Sequence, residues 1–450
     1  MFRKALLVFI PIFFIVPVFA QSKAPSIEEI VQMFYSNYDV NTLSHPKIDF
    51  EKRNRDWKIT TKRIEKGELI NDDTFLFYDG LKAAYMQLPI ATKQDVTIVD
   101  YKDYIDDYSI KNYRLHDFYG YNGWYKDVIA ELGNKTNLSD SALYSLARAY
   151  SSYASSRLSN QYGDALKDEI FVLPLARNCM TKEQIEAYKS IAEKAIAGFT
   201  SLMKQNKNFE TIVGNIAIKL ANEVMVEFHT YLTYADEYAK TVPLPDKLYP
   251  DSIIQKAKNV LMKCPADAVL LSWGDNDFYP ILYVQHKLKI RRDVYLLNQN
   301  LLGLDRYIFM ATNKQFDANA IKISVDPACY EGSMNDVCLV TKSDAAIKFE
   351  DVINQLKSGK RNEYGYIKIP SNNFVITRDS MYKQGGKNRS LTKSYKVTIE
   401  NGYVFKNDWV LLDIFNNLHG RRLCCQSQLF DLFSEMNKYL TKVDENFFIY

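Results

Sequence analysis

Acidic residues are missing from the first twenty positions, and beyond them the chain has no apolar run approaching the roughly 20 residues that a bilayer-spanning helix needs. The opening, MFRKALLVFIPIFFIVPVFA, sets Arg3 and Lys4 before an apolar run that carries Pro11 and Pro17 and closes on Val18-Phe19-Ala20. A basic start, a short apolar core and small or apolar residues at its end predict a signal peptide over residues 1–20, cleaved after Ala20. No cysteine follows the run, so a lipid anchor has no attachment point there. The expectation is a periplasmic or secreted protein with no transmembrane span in the mature chain.

Charge of one sign is also scarce. Lysine and arginine number 57 against 54 acids, a net +3 that falls to +1 without Arg3 and Lys4, and this excludes the electrostatic footprint of a nucleic-acid partner. The six cysteines contain no C-x-x-C and are too few for a disulfide scaffold, and the five histidines are scattered, so no metal site and no cofactor is expected. Cys329 and Cys338 bracket a short polar segment, YEGSMNDV, and are the candidate disulfide. The adjacent Cys424 and Cys425 are expected on one strand, pointing to opposite faces. What is abundant is apolar and aromatic: 47% hydrophobic residues, with 32 Tyr and 25 Phe, supply cores for two or three domains.

The predicted class is α + α/β: an irregular tetratricopeptide-like helical array over residues 21–242, a linker with the helix that follows it over 243–265, and a Rossmann-like α/β domain over 266–450. Ser26 stands three residues before Glu29, the spacing of a capping box. Leu143-x-x-Leu146-Ala147-x-x-Tyr150 and Ala195-x-x-x-Phe199 have the spacings of the two helices of a tetratricopeptide repeat, and Val213-x-x-Ile216-Ala217-x-x-Leu220 fits the next first helix. Pro243, Pro245 and Pro250 then break the helical pattern. Beyond them apolar strands at Ala268–Trp273 and Val294–Asn298 flank one helix, a spacing that demands a right-handed parallel crossover. Further strands are expected at Ala320–Val325 and Val337–Thr341, a helix near Ala345–Ser358, and a last amphipathic helix over LFDLFSEMNKYLTKV. Between Tyr113 and Ile129 the rings of Phe118, Tyr119, Tyr121 and Trp124 surround Gly120 and Gly123. They make either a stacking surface for sugars or peptides or the packing between two helices.

The stretch WGDNDFYP follows the first parallel strand. Loops at the carboxyl ends of parallel strands line the ligand crevice, so Gly274, Asp275, Asn276 and Asp277 are ligand-binding candidates, with Asn298 beside them. Asp277 is expected to cap a helix beginning around Phe278–Pro280. The acids also match two catalytic patterns, a carboxylate pair on a divalent metal and a hydrolase pair across a substrate. No histidine and no nucleophile–base–orienter set accompanies them, so no catalytic residue is assigned.

WGDNDFYPILYVQHKLKIRRDVYLLNQNLLGLDRYI resembles the soluble C-terminal region of the bacterial protein O-mannosyltransferase-like membrane proteins, glycosyltransferase family 117. The resemblance rests on Gly274, Asp275, Asn276, Asp277, Pro280, Arg291, Asp293, Val294, Asn298, Leu301, Leu302, Asp305, Tyr307 and Ile308, and on Lys406, Asn407, Asp408, Leu412, Asp413 and Asn417 of a later block. It adds Asp305, Asn407 and Asp408 to the ligand-binding candidates. The chain departs at Phe278-Tyr279, where the family has Thr-Phe, at Arg306, where it has Trp, and at Gly420 and Leu423, where it has Trp and Pro. The family's multi-span half is missing. The resemblance therefore implies an accessory or recognition domain of a kind found in Bacteroidetes, with an envelope protein or glycan as partner. The expected function is a non-enzymatic interaction protein, and the alternative is a glycan-active or metal-dependent enzyme using Gly274–Asp277.

Overall fold

The computed structural model describes residues 24–43, 47–65, 68–158, 169–326, 337–363, 365–384, 387–400, 402–418, 420–425 and 441–442. The expected signal peptide and Cys329 lie outside these residues, as does the expected C-terminal amphipathic helix except at Thr441–Lys442, which form a strand instead. No helix among them is long and apolar enough to cross a membrane.

The chain is of α+β class. α1 (Ile27–Asn37) opens on the expected capping box: the Glu29 amide donates to Ser26 Oγ, and the Ser26 amide donates to the Glu29 carboxylate at 2.7 Å. Here the helical expectation for residues 21–242 needs correction. β1 (Lys47–Arg53), β2 (Asp56–Glu65), β3 (Glu68–Asp79), β4 (Ala84–Tyr85) and, after α2 (Asp107–Leu115), β5 (Phe118–Tyr119) form an antiparallel sheet in the order β4-β3-β2-β1-β5. Phe50, Trp57, Ile59 and Phe77 turn inward from it against Ile30, Val31 and Phe34 of α1. The strands pass unread because charged residues alternate with those few apolar ones, which leaves a weak period of two.

Helices then dominate: α3 (Trp124–Leu132), α4 (Asp140–Ser156), α5 (Lys182–Gln205), the small hairpin of β6 (Glu210–Thr211) and β7 (Gly214–Asn215), α6 (Ile216–Tyr234) and α7 (Asp236–Ala239). α4 and α5 approach closely at Gly198, where a Cβ would stand 2.8 Å from that of Ala147. Thr181 and Gln184 form the capping box of α5.

After α8 (Asp251–Lys263) come β8 (Val269–Ser272), α9 (Gly274–Lys287), β9 (Tyr295–Asn298), a 3-10 turn (Gln299–Gly303), α10 (Asp305–Ala311), β10 (Val337–Val340), β11 (Ile347–Lys348), α11 (Phe349–Ser358), β12 (Ile367–Ile369), the long hairpin β13 (Asn373–Gln384) and β14 (Lys387–Thr398), β15 (Tyr403–Phe405), α12 (Lys406–Asn416), β16 (Leu423–Cys425) and β17 (Thr441–Lys442). Ala320–Val325, expected as a strand, joins no sheet and bends at Ser324-Val325. It is instead tethered by Asp413, which accepts from the Ser324 amide at 2.7 Å and the Val325 amide at 3.3 Å.

β8, β9, β16 and β17 make one parallel sheet in the order β17-β16-β8-β9. Counted along the chain this order is 2-1-3-4, so the connections reverse between β8 and β16. β8, β9 and β16 are buried on both faces, as a sheet covered on both sides requires. Leu270, Leu296 and Cys424 face α8 and α9, whereas Val269, Leu271, Tyr295, Leu297, Leu423 and Cys425 face α10, α11 and α12. The core on the first face also contains Tyr188, Met225, Phe228 and Tyr231, so the helical half and the sheet share it.

Candidate functional site

Gly274 stands at the carboxyl end of β8 with φ +66, a left-handed conformation that turns the chain from strand into helix. A Cβ there would meet nothing within 4 Å, so the backbone conformation, not space, favours glycine. The helix begins at once, which corrects the capping assignment. Trp273 is the N-cap, Asp277 is already inside the first turn, and neither makes a cap. Pro280 falls within the helix rather than at its start.

The loop residues divide sharply by what they bond. Asn276 is structural: its Oδ1 accepts from Asn222 Nδ2 on α6, its Nδ2 donates to the Val213 carbonyl at 2.8 Å, and Tyr249 Oη donates to Asn222 Oδ1 at 2.9 Å. Neither acid accepts a hydrogen bond from the described residues. Asp277 Oδ1 is buried without a partner, and burial pushes its carboxyl up to about 7. Asp275 is solvent-exposed, yet burial among surrounding protein is the largest cause raising its pKa. A carboxylate that water reaches but protein surrounds lies in a crevice, not on a convex face. Glu223 raises Asp275 further, while Lys219 and Arg148 oppose the shift.

Those three charges come from the helical half, and the loop could not reveal them. Lys219 and Glu223 are buried on α6 and form an ion pair of 2.6 Å, with the Lys219 ammonium also 4.9 Å from the Phe199 ring centroid. Their signal was present in IAIKLANEVMV, where Lys219 and Glu223 interrupt an apolar helix at i and i+4. With Asp275 itself the crevice carries two acids and two bases, and Trp273, the N-cap residue of the same helix, is 51% exposed.

The other candidates spread along the same end of the sheet. Asn298 is buried; its amide donates to Tyr307 Oη at 2.8 Å and its Oδ1 accepts from Asn300. Asp305 accepts from the Arg306 amide at the start of α10. Asp408 is buried at the start of α12, pushed up to about 6 by burial and held back by hydrogen bonds from the Phe405 backbone and Gln299. Asn407 Oδ1 is buried without a partner. Among the described residues no group of three His, Cys, Asp or Glu side chains is placed to hold a metal ion.

Other residues of the motif blocks hold the fold. Arg291 grips Asp293 with two bonds of 2.8 and 3.0 Å and donates to the carbonyls of Leu261, Cys264 and Pro265. Asn417 Nδ2 donates to Asp413 Oδ1 at 2.7 Å and to Ser324 Oγ at 2.8 Å. Arg306 fans out to the carbonyls of Leu173, Pro174 and Ala176 and lies 5.4 Å from the Tyr234 ring. This departure from the family pattern therefore grips the chain's own helical half.

The aromatic candidates pack rather than stand free. Phe118 is buried with Tyr125 and Val128, while Tyr119 and Trp124 are half-buried with ring centroids 5.5 and 5.2 Å from that of His116. Tyr121 is half-buried beneath the Arg53 guanidinium at 4.1 Å. A separate cavity of about 40 Å³, bordered by Thr233, Asp236 and Phe309, has room for water but not for a sugar.

A family model described as TMEM260-associated domain 2 matches residues 253–443, a stretch that takes in the Gly274–Asp277 loop and the start of α12. TMEM260 is a protein O-mannosyltransferase-like family. No curated protein and no solved structure matches the chain.

Proposed function

We propose that the protein is an exported, non-enzymatic binding protein of the bacterial cell envelope, related to glycosyltransferase family 117, that takes a glycan in the Asp275 crevice. The observation that carries this reading is Asp275 itself. It is exposed, accepts no hydrogen bond, and faces a charge-balanced wall from α4 and α6 beside an exposed indole. Neutral sugars are held by such sets, in which carboxylate and guanidinium groups bond hydroxyls and a ring face covers the apolar side of the pyranose. The periplasmic setting rests on the leader-like N-terminus and on the family resemblance. The tetratricopeptide-like reading draws on the close α4–α5 contact at Gly198, although the 25 residues from Arg157 to Thr181 far exceed a repeat's turn.

The enzymatic alternative draws on the raised pKa of Asp275, as a general acid requires. The carboxylate that acts on it, Glu223, is spent on Lys219 at 2.6 Å, and this favours binding over cleavage.

The test is thermal unfolding of residues 21–450 against mono- and oligosaccharides, beside Asp275→Ala. A sugar that binds only the folded form raises the midpoint, and that rise is expected to vanish in the variant. A rise of equal size in Asp275→Ala would remove the crevice from the reading, and no rise with any sugar at millimolar concentration would end the glycan assignment. Release of reducing ends from an oligosaccharide, abolished in Asp275→Asn, would turn the conclusion to the enzyme.

A further inference from the structure

Two thiols meet in the shared core, apart from the crevice. Cys264 is the C-cap of α8, and Cys424 is the middle residue of β16, paired with Leu270 on the inner strand β8. The alternation of the strand turns Cys424 toward α8 and α9 and Cys425 toward the opposite core, so only Cys424 faces the end of α8. Cys264 and Cys424 are 4% and 0% exposed and belong to one cluster with Val260, Leu261 and Leu296. Neither is bridged. The two thiols are close enough to act on one another, and Cys264 Sγ donates to the Val260 carbonyl at 3.4 Å. Arg291, whose Nη1 donates to the Cys264 carbonyl at 2.7 Å, brings its positive charge close to both sulfurs.

We propose that Cys264 and Cys424 are a redox pair that closes to a disulfide under oxidising conditions, pinning the end of α8 to the parallel sheet. The arrangement gives the sulfurs distinct roles. Cys264 keeps its proton on the Val260 carbonyl, so Cys424 is the sulfur prepared to act as thiolate. With oxidised glutathione as the oxidant, the Cys424 thiolate attacks one glutathione sulfur, and the S–S bond of glutathione breaks as the mixed disulfide forms. The first glutathione leaves as a thiol with the proton from Cys424. Cys264 then loses its proton and attacks Cys424 Sγ, releasing the second glutathione thiol. Two protein thiols are oxidised, one glutathione disulfide is reduced, and both protons leave on glutathione.

Because both sulfurs are buried, the exchange is run during folding. The full mature chain is refolded from urea in a glutathione redox buffer, quenched, denatured, and alkylated without reductant. Peptide mapping is expected to find Cys264 and Cys424 unalkylated and joined in one cross-linked peptide, and the oxidised protein to unfold at higher urea than its reduced form. Free alkylation of both residues under oxidising conditions overturns the proposal, as does a bridge that joins either of them to Cys179, Cys329, Cys338 or Cys425. The mapping is made on the natural sequence, so its result does not depend on whether Cys264→Ser folds. Where that variant folds, it is expected to lose the redox dependence of the urea midpoint.

Discussion

Replacing Asn276 by alanine isolates the contact by which the loop after β8 is fastened to the helical half. The change removes one bond accepted from Asn222 and one donated to the Val213 carbonyl, and it leaves Asn222 Nδ2, on a residue 1% exposed, without its acceptor. Two net hydrogen bonds at about 1 kcal/mol each, with a further 1–2 kcal/mol for the stranded buried donor, give an expected loss of about 2–4 kcal/mol. Asn222→Ala is expected to cost a similar amount, since it also strands Tyr249 Oη. Because the two variants share one bond, their double variant is expected to fall short of the sum by about 1–2 kcal/mol. Urea unfolding followed by intrinsic fluorescence on all four proteins measures this cycle. A single-variant loss below about 0.5 kcal/mol, the range of an ordinary surface change, refutes the reasoning. So does strict additivity.

Arg306→Ala is expected to cost about 2–4 kcal/mol and to speed proteolytic cutting between Leu173 and Arg177, because one guanidinium holds three carbonyls there. Arg306→Lys should restore little, since one ammonium does not reproduce the planar fan, and limited proteolysis of the three proteins checks the order. Glu223→Gln strands the buried Lys219 ammonium and is expected to lose about 3–5 kcal/mol at neutral pH, read from its urea midpoint. Asp277 carries the pH dependence. Its folded pKa of about 7 lies above its unfolded value near 3.9, so the folded state holds the proton more tightly. Its stabilising contribution is complete below about pH 4, is lost as pH rises through 7, and is worth about 1–3 kcal/mol. Asp277→Asn should remove that share of the decline between pH 5 and pH 8. A wild-type decline that the variant reproduces in full would mean that other groups, Asp408 among them, carry all of it.

The parallel unit was legible because burial on both faces leaves an uninterrupted apolar run. AVLLSW and VYLLN read as strands without help, and the opposite facing of Cys424 and Cys425 follows from the period of two. The β13–β14 hairpin was missed although its signal was there: Gly385-Gly386 separates two runs of strand-forming residues. At the loop, the position after an apolar parallel strand singled out Gly274–Asp277 but could not divide their labour. Asn276 looked no more structural than Asp275 until α6 supplied Asn222, because the partner lies 54 residues upstream. Lys219 and Glu223 stand out as charges on an apolar helix, but their place beside the loop, like that of Arg148, was illegible for the same reason: the crevice is closed by helices that only the fold brings to the strand ends. Asp277 misled because an acid ahead of Phe278 and Pro280 has the look of a cap. The left-handed Gly274 lets the helix begin earlier, and one turn relocates the carboxylate from helix end to helix interior.

Pro243, Pro245 and Pro250 mark a change in the rhythm of the chain, but the apolar cluster of Tyr188, Met225, Phe228, Leu270, Leu282 and Leu296 runs uninterrupted beneath it. For anyone dividing the protein, that is a place where the polypeptide is easy to cut and the molecule is not. Either piece would carry half an interior on its outside. The two halves of this chain are thereby bound to fold and to be degraded together.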